Sequence, residues 1–159
     1  LNTHYMELRK ATAGDITALK QLYCDTIVSI NARDYDALQI KAWASTADRT
    51  ASLLKRIEEE YFYVALSGNT ITGFASLDDS GYLDMLYVHR DFQRMGVASL
   101  LLQQLLQTAA QLNLKVIETE ASITAKPFFE KNGFNLTTVQ TVHINDIGLT
   151  NYKMKLVLP

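Results

Sequence analysis

Cysteine occurs once, at Cys24, so no disulfide can close within the chain, as expected of a protein from a reducing compartment. Charge of one sign is also missing. The formal net charge is -2 and no long Lys/Arg run occurs, which argues against nucleic-acid or membrane partners recruited by electrostatics. No unbroken hydrophobic run spans a bilayer. The most apolar stretch, Val97 to Leu114, is interrupted by Gln103, Gln104, Gln107 and Gln111 and reads as an amphipathic helix. Leu1 to Met6 shows no basic segment followed by an apolar run, so no secretory signal is visible and a cytoplasmic location is the expectation. Glycine is sparse where nucleotide binders need it. Gly96 is the only glycine between Gly81 and Gly133, so neither G-x-G-x-x-G nor G-x-x-x-x-G-K-[ST] can be written, and a dinucleotide or nucleoside-triphosphate enzyme is disfavoured. His4, His89 and His143 lack metal-ligand spacing and no second Cys can join them, so no metal is expected.

What is present suits one globular domain: 159 residues, 48% hydrophobic and 20% charged, enough to bury a core. Glu7 to Lys10 can form a first strand. Thr12 to Asp15 resembles a capping box, and Ile16, Leu19, Tyr23, Ile27 and Ile30 follow at helical spacing, giving a helix over 13–31. A short helix is expected at 37–42 and a longer one over 48–60. Strands at 61–66 and 70–77 flank the hairpin signal Gly68-Asn69, and another runs from Tyr82 to Val88. After a polar loop comes a helix over 96–112, whose Val97, Leu101, Leu105 and Ala109 form an i, i+4 stripe. A strand at 115–121, a short helix at 124–132 and a pair of strands at 136–144 and 149–158 complete the chain. Pro127 falls in the first turn of the short helix, where it is tolerated, and Gly133 is a natural stop. This order predicts an α/β fold of the mixed α+β kind, one sheet with helices on its faces.

The segment Tyr82 to Ser99 carries the chemical signal. The first turn of a helix has backbone N–H groups with no internal partner and bears the positive end of the dipole. That turn usually attracts an acid, yet none occurs from Phe92 to Leu114. Gly96, Ala98 and Ser99 keep the surface small, so a phosphate could approach the backbone. A plain strand-turn-helix is the competing reading.

Leu86-Tyr87-Val88-His89-Arg90-Asp91-Phe92-Gln93-Arg94-Met95-Gly96-Val97-Ala98 resembles the acetyl-coenzyme A signature of the GNAT N-acetyltransferase superfamily, [Q/R]-x-x-G-x-[G/A] behind a strand ending L-x-V. Phe128-Phe129-Glu130-Lys131-Asn132-Gly133-Phe134 resembles its second hallmark, F-[Y/F]-E-K-x-G-F. The resemblance covers essentially the whole chain in element order. It implies a GNAT-like domain over 1–159, with a mostly antiparallel mixed sheet, helices on both faces and two parallel strands that splay apart. It further implies acetyl-CoA held in that opening by the backbone of Leu86, Tyr87 and Val88, and its pyrophosphate on the amides of Gln93, Arg94, Met95, Gly96, Val97, Ala98 and Ser99. Ser122 falls where many relatives carry an Asn that contacts the coenzyme. Phe128 and Phe129 border it or pack in the core. The implied activity is transfer of an acetyl group from acetyl-CoA to a primary amine by direct attack, with a small-molecule or peptide acceptor and room for a homodimer. The alternative is a non-catalytic acyl-CoA-binding or sensing module.

A lysine-like amine has a pKa near 10.4 and arrives protonated, and a carboxylate, often acting through water, can accept that proton. Strand alternation puts Tyr82, Asp84, Leu86 and Val88 on one face, and Asp84 in that apolar strand is the first candidate; a local salt bridge is its competing role. Glu118 and Glu120 share a face of the neighbouring strand and are further candidates for base or substrate anchor. Many relatives have a Tyr general acid where this chain has Phe129, so the proton for the thiolate falls to Tyr152, Tyr82, Ser122 or water. Tyr23, Tyr35, Trp43, Tyr82 and Tyr152 are candidate walls of the acceptor pocket, with core packing as the alternative. Asp34 and Asp36 would make its entrance acidic, which suits a cationic amine. Cys24 reads as packing.

Overall fold

The computed structural model describes residues 5–159, so His4 lies outside the described residues. A seven-stranded sheet in the order β1-β2-β3-β4-β5-β7-β6 runs through the molecule. Its strands are β1 (Glu7–Lys10), β2 (Tyr61–Ser67), β3 (Thr70–Leu77), β4 (Tyr82–Val88), β5 (Val116–Ser122), β6 (Asn135–Ile144) and β7 (Ile147–Val157). The helices are α1 (Ile16–Ser29), α2 (Ala37–Ser45), α3 (Thr50–Glu59), α4 (Val97–Gln111) and α5 (Lys126–Lys131). The expected elements are all present.

The differences from expectation are local. The helix expected over 13–31 is shorter, because a 3-10 turn at Ala13–Asp15 precedes α1 and another at Asn31–Arg33 follows it. Asp15 ties this entrance down by accepting the Thr12 N–H at 2.8 Å and pairing with both guanidinium nitrogens of Arg9 at 2.8 Å. Helix α2 runs on to Ser45, and its start is a capping box in which Asp36 accepts the Gln39 N–H while Gln39 accepts the Asp36 N–H. The last hairpin turns on Asn145 and Asp146, both at positive φ, so the loop is two residues long and β7 starts at Ile147.

Two cores lie on opposite faces of the sheet. On one, the α4 stripe of Val97, Leu101, Leu105 and Ala109 packs over Ala75, Leu83 and Ile117, with Phe129 and Phe134 closing the end. On the other, Leu19 and Leu22 of α1 and Leu53 of α3 cover Phe62, Val64 and Phe74. A third cluster joins Ile27, Tyr35, Ile40 and Leu149 beneath α2. Tyr35 fixes that corner: its hydroxyl donates to the Thr150 carbonyl at 2.7 Å and accepts the Ile123 N–H at 2.9 Å.

All strand pairs are antiparallel except β4 with β5. Those two are in register only at Tyr82 with Glu118 and Leu83 with Thr119. Beyond that point β4 follows β3 to Val88 and β5 follows β7 to Ser122, so the sheet opens into a wedge. The closed end of the wedge rests on Gly81, whose carbonyl accepts the Glu118 N–H at 3.0 Å. Gly81 has φ +97, and a Cβ there would stand 2.5 Å from the Val116 carbonyl oxygen. Gly81→Ala therefore combines backbone strain with a clash against backbone and should destabilise the fold by ~2–4 kcal/mol, measurable by urea denaturation; an unchanged midpoint would show that this contact does not hold the strands.

Candidate active site

The strand carrying Asp84 is bulged. Ser76 pairs with Met85 and Leu77 with Leu83, so Asp84 has no cross-strand partner in β3. The extra residue breaks the alternation that placed Tyr82, Asp84, Leu86 and Val88 on one face. Leu83 joins Leu86 and Val88 in the α4 core, whereas Met85 and Tyr87 join the core beneath α1 and α3. Asp84 meets α3, and its Oδ2 accepts from Arg56 Nε at 2.5 Å. Arg56 in turn donates from Nη1 to Ser52 Oγ at 2.8 Å. Only 17% of the Asp84 side chain is exposed, so the local salt bridge expected as its competing role does form, and it forms at the wall of a cavity.

Behind Asp84 sits Glu60, a residue that sequence reasoning did not single out. It follows the last residue of α3 and lies beside Asp84, Ser76 and Arg56. Its Oε2 and the Ser76 Oγ are buried without a well-formed partner. Burial first, then the neighbouring Asp84, lift the Glu60 carboxyl to about 7, against the pull of Ser76 and Arg56. The site thus holds two carboxyl groups, one guanidinium and a proton that titrates near neutrality, a combination suited to general base work.

The wedge between β4 and β5 opens into a cavity of about 1080 Å³. Asp84, Glu120, Tyr82, Tyr23, Tyr35 and Trp43 line it on the side of α1 and α2. Leu86, Tyr87, Val88, Gln93, Arg94, Gly96, Val97, Ala98 and Ser99 line it along β4 and the start of α4, and Ser122, Phe128 and Phe129 line it from β5 and α5. Three expected site residues are not brought there. Met95, 40% exposed, turns outward from the loop. Glu118 is exposed on β5 and outside the lining. Tyr152 is also outside it. It packs on the α4 core, with Lys126 Nζ 5.0 Å above its ring.

The turn before α4 is built to expose amides. Arg94 has φ +59 and Gly96 φ +81, and left-handed residues in such a turn orient successive N–H groups into a concavity that suits an anion. Nothing lies within 4 Å of a Cβ placed at Gly96, so the space there is open. No side chain caps α4 and no acid stands in its first turn. Arg94 and Lys131 add positive charge to the lining. The Gln93 side chain is engaged elsewhere: its Nε2 donates to the Val88 carbonyl at 2.8 Å, and Thr26 Oγ1 donates to the same oxygen at 2.9 Å. That carbonyl is saturated, so the expected contact at Val88 is left to its N–H.

The hydroxyls differ in what they can still do. Ser122 Oγ accepts the Ala125 N–H at 3.0 Å, leaving its own proton free. Tyr35 has both sides of its hydroxyl engaged. Thr46 Oγ1 donates to the Trp43 carbonyl at 2.6 Å, so in its contact with Tyr23 the tyrosine must be the donor. Burial is the chief cause of the raised pKa of both Tyr82 and Tyr87, and the carboxylates of Glu120 and Asp84 add to it at Tyr82. The acidic entrance does not materialise: Asp34 accepts from Thr124 Oγ1 at 2.8 Å, Asp36 caps α2, and neither lines the cavity. Cys24 is half-buried and outside the lining.

A parallel pair opens beside an uncapped helix N-terminus, with a carboxylate at the inner end, and the family match makes this an acyltransferase domain. Residues 31–156 match the family model described as "Acetyltransferase (GNAT) domain", and the chain belongs to that family. It is 31% identical over 150 residues, 94% of this chain and 95% of the relative, to YafP, an uncharacterised N-acetyltransferase of Escherichia coli strain K12. Among solved structures, a GCN5-related N-acetyltransferase from Rhodopseudomonas palustris superimposes with a TM-score of 0.92 at 32% identity, covering 96% of this chain and 95% of that one. The PaiA N-acetyltransferase from Thermoplasma acidophilum, in complex with coenzyme A, shares the fold with a TM-score of 0.81 at 17% identity over 97% and 99% of the two chains. The fold class expected from the sequence and the dependence on acetyl-CoA follow from this membership.

Glu60 makes stability depend on pH. Its carboxyl titrates higher in the folded chain, about 7, than its ordinary 4.5. Between these values the folded state holds the extra proton, so stability falls as pH rises through the window. Glu60→Gln should flatten that slope and stabilise the protein above pH 7 by roughly 1–2 kcal/mol, allowing for solvent screening. Unfolding curves at pH 5 and pH 8 check this; parallel loss in both proteins would contradict it.

Proposed function

We propose that the protein transfers the acetyl group of acetyl-CoA to a primary amine by direct attack, with coenzyme and acceptor bound together. The observation that carries this reading is the wedge, a bare helix N-terminus at its outer end and the Asp84–Arg56 pair at its inner end. Acetyl-CoA supplies an activated thioester carbonyl. The residues fit it: Gln93 to Ser99 offer amides to a diphosphate, and the unpaired edges of β4 and β5 offer N–H and C=O groups to an extended amide-bearing chain.

Asp84 accepts the proton of the incoming ammonium, directly or through water, and Arg56 keeps its carboxylate oriented. Glu60 shares that proton. Its carboxyl near 7 gives the pair an acceptor matched to neutral pH. Amides of β4 past the bulge face the negative charge that grows on the thioester oxygen. Thiols ionise near 8.5, so a departing thiolate is stable enough to leave without a strong acid. The free Ser122 proton then serves as a hydrogen-bond donor, which accounts for a chain that has Phe129 where a tyrosine would give a proton. The same chemistry disfavours the non-catalytic alternative, whose support was that missing hydroxyl.

Asp84→Asn should lower kcat by ~100-fold with little change in acetyl-CoA affinity. Gly96→Glu, which places charge and bulk on the amides, should weaken acetyl-CoA binding at least ~100-fold while the protein remains folded by its melting curve. Acetyl-CoA binding without CoA release across a broad amine library would favour the sensing module. Unchanged affinity in a folded Gly96→Glu protein would overturn the coenzyme site.

A further inference from the structure

A second, smaller cavity of about 230 Å³ adjoins the wedge at its inner end, between α1, the α2–α3 connection, α3 and β4. The two share Tyr23, Arg49, Arg56, Asp84, Tyr87 and Ile144, so they are continuous across the Asp84–Arg56 pair. The charge of the smaller cavity is one-sided. Lys20, Arg49 and Arg56 line it, and among the described residues Asp84 is the only carboxylate in the lining. Asp84 answers Arg56. Among the described residues no carboxylate forms an ion pair with Lys20 or Arg49. Lys20 Nζ donates to Thr50 Oγ1 at 2.8 Å, which sets the ammonium beside the first residue of α3. That helix starts with no side-chain cap and no acid in its first turn, so its dipole adds to the same positive end.

Helix geometry places the two ends of this cavity. Ser52, Leu53 and Arg56 share one face of α3, and Arg49 stands at its N-terminal end as the residue before Thr50. The rise from Arg49 to Arg56 is about 10 Å. An acceptor whose amine reaches Asp84 therefore extends toward two cations whose charge the protein leaves unanswered. A cationic substrate such as a polyamine would place its second charge against Lys20 and Arg49, and repulsion at this range disfavours it.

We propose that the acceptor is a small amine that also carries an oxyanion several bonds from its nitrogen, and that Lys20 and Arg49 bind that oxyanion. The inference rests on the acetyltransferase reading for the identity of the amine, but binding of the oxyanion is separable from catalysis. Tyr23 and Tyr87, whose ring centroids are 4.7 Å apart, flank the path between the two ends, and Tyr23 Oη, already donating to Thr46, can only accept.

The test uses the whole protein saturated with CoA and a matched probe series: ω-amino carboxylates, ω-amino alkylphosphonates and the neutral ω-amino amides of equal chain length. Calorimetric titration should give Kd values at least tenfold lower for the anionic members than for the amides. The Lys20→Gln/Arg49→Gln double variant should bring the acid-to-amide ratio close to one, and Arg49→Glu should invert it in favour of the amides. The carboxylate and phosphonate arms decide which oxyanion is preferred. Equal affinity for acids and amides at every length, or an acid preference that survives the double variant, overturns the proposal. CoA release, measured separately, reports on the other reading: anion-selective binding without release from acetyl-CoA would remove acetyl transfer and leave the oxyanion site, whereas turnover that ignores the anion would do the reverse.

Discussion

The structure depends on how early β4 and β5 part. Two residue pairs hold them together, at Tyr82–Glu118 and Leu83–Thr119, and each strand then stays with its outer neighbour. A parallel sheet that opens in this way leaves backbone donors and acceptors without partners, which is costly unless something else takes them. The chain satisfies some of them itself. Thr26 and Gln93 saturate the Val88 carbonyl, and Thr119 Oγ1 donates to the Leu83 carbonyl at 2.9 Å just inside the fork. What remains is an edge whose amides can pair with an extended ligand. Gly81 and the close approach of Val116 fix the closed end, so the width of the wedge is set by backbone contact and not by flexible side chains.

The β4 bulge decides where the chemistry sits. A regular strand would have turned Asp84 toward the α4 core with Leu86 and Val88. One extra residue sends it instead to α3, where Arg56 waits, and brings it beside Glu60. The result is a carboxylate oriented by a guanidinium and partly screened from water, next to a carboxyl that loses its proton near neutrality. Burial of Glu60, and then the Asp84 carboxylate beside it, disfavour its charged form against the pull of Arg56, and that puts its titration in the useful range. Arg56 is also the hinge between the two cavities, so the same side chain that orients the base borders the cationic end that would receive an oxyanion.

Much of this was legible in the residues, for reasons that differ by element. The α4 stripe and the absence of acid at its start are local patterns, and both carried through to the structure. Alternating hydrophobics with Gly68-Asn69 between them placed β2 and β3 correctly. The hidden features are those with no local signature. The bulge at Asp84 depends on the register with β3, which periodicity within β4 cannot report. Glu60 reads as one more acid at the end of an acidic helix, Glu58-Glu59-Glu60, and only the fold buries it beside Asp84. Tyr152 drew attention by its residue type alone, and only the fold shows its ring packed on the α4 core with Lys126 above it. Lys20 and Arg49 lie far apart in sequence and become a pair only through the packing of α1 against α3.

The coenzyme is held to lie along the unpaired edge of the wedge and the turn before α4. Backbone amide resonances followed during a titration with CoA test this most directly. Large shifts are expected on Met85 to Val88, Gln93 to Ser99 and Glu120 to Ser122, with the β1–β2 and β6 amides unmoved. Shifts confined to other strands, or none at the turn before α4, would contradict it.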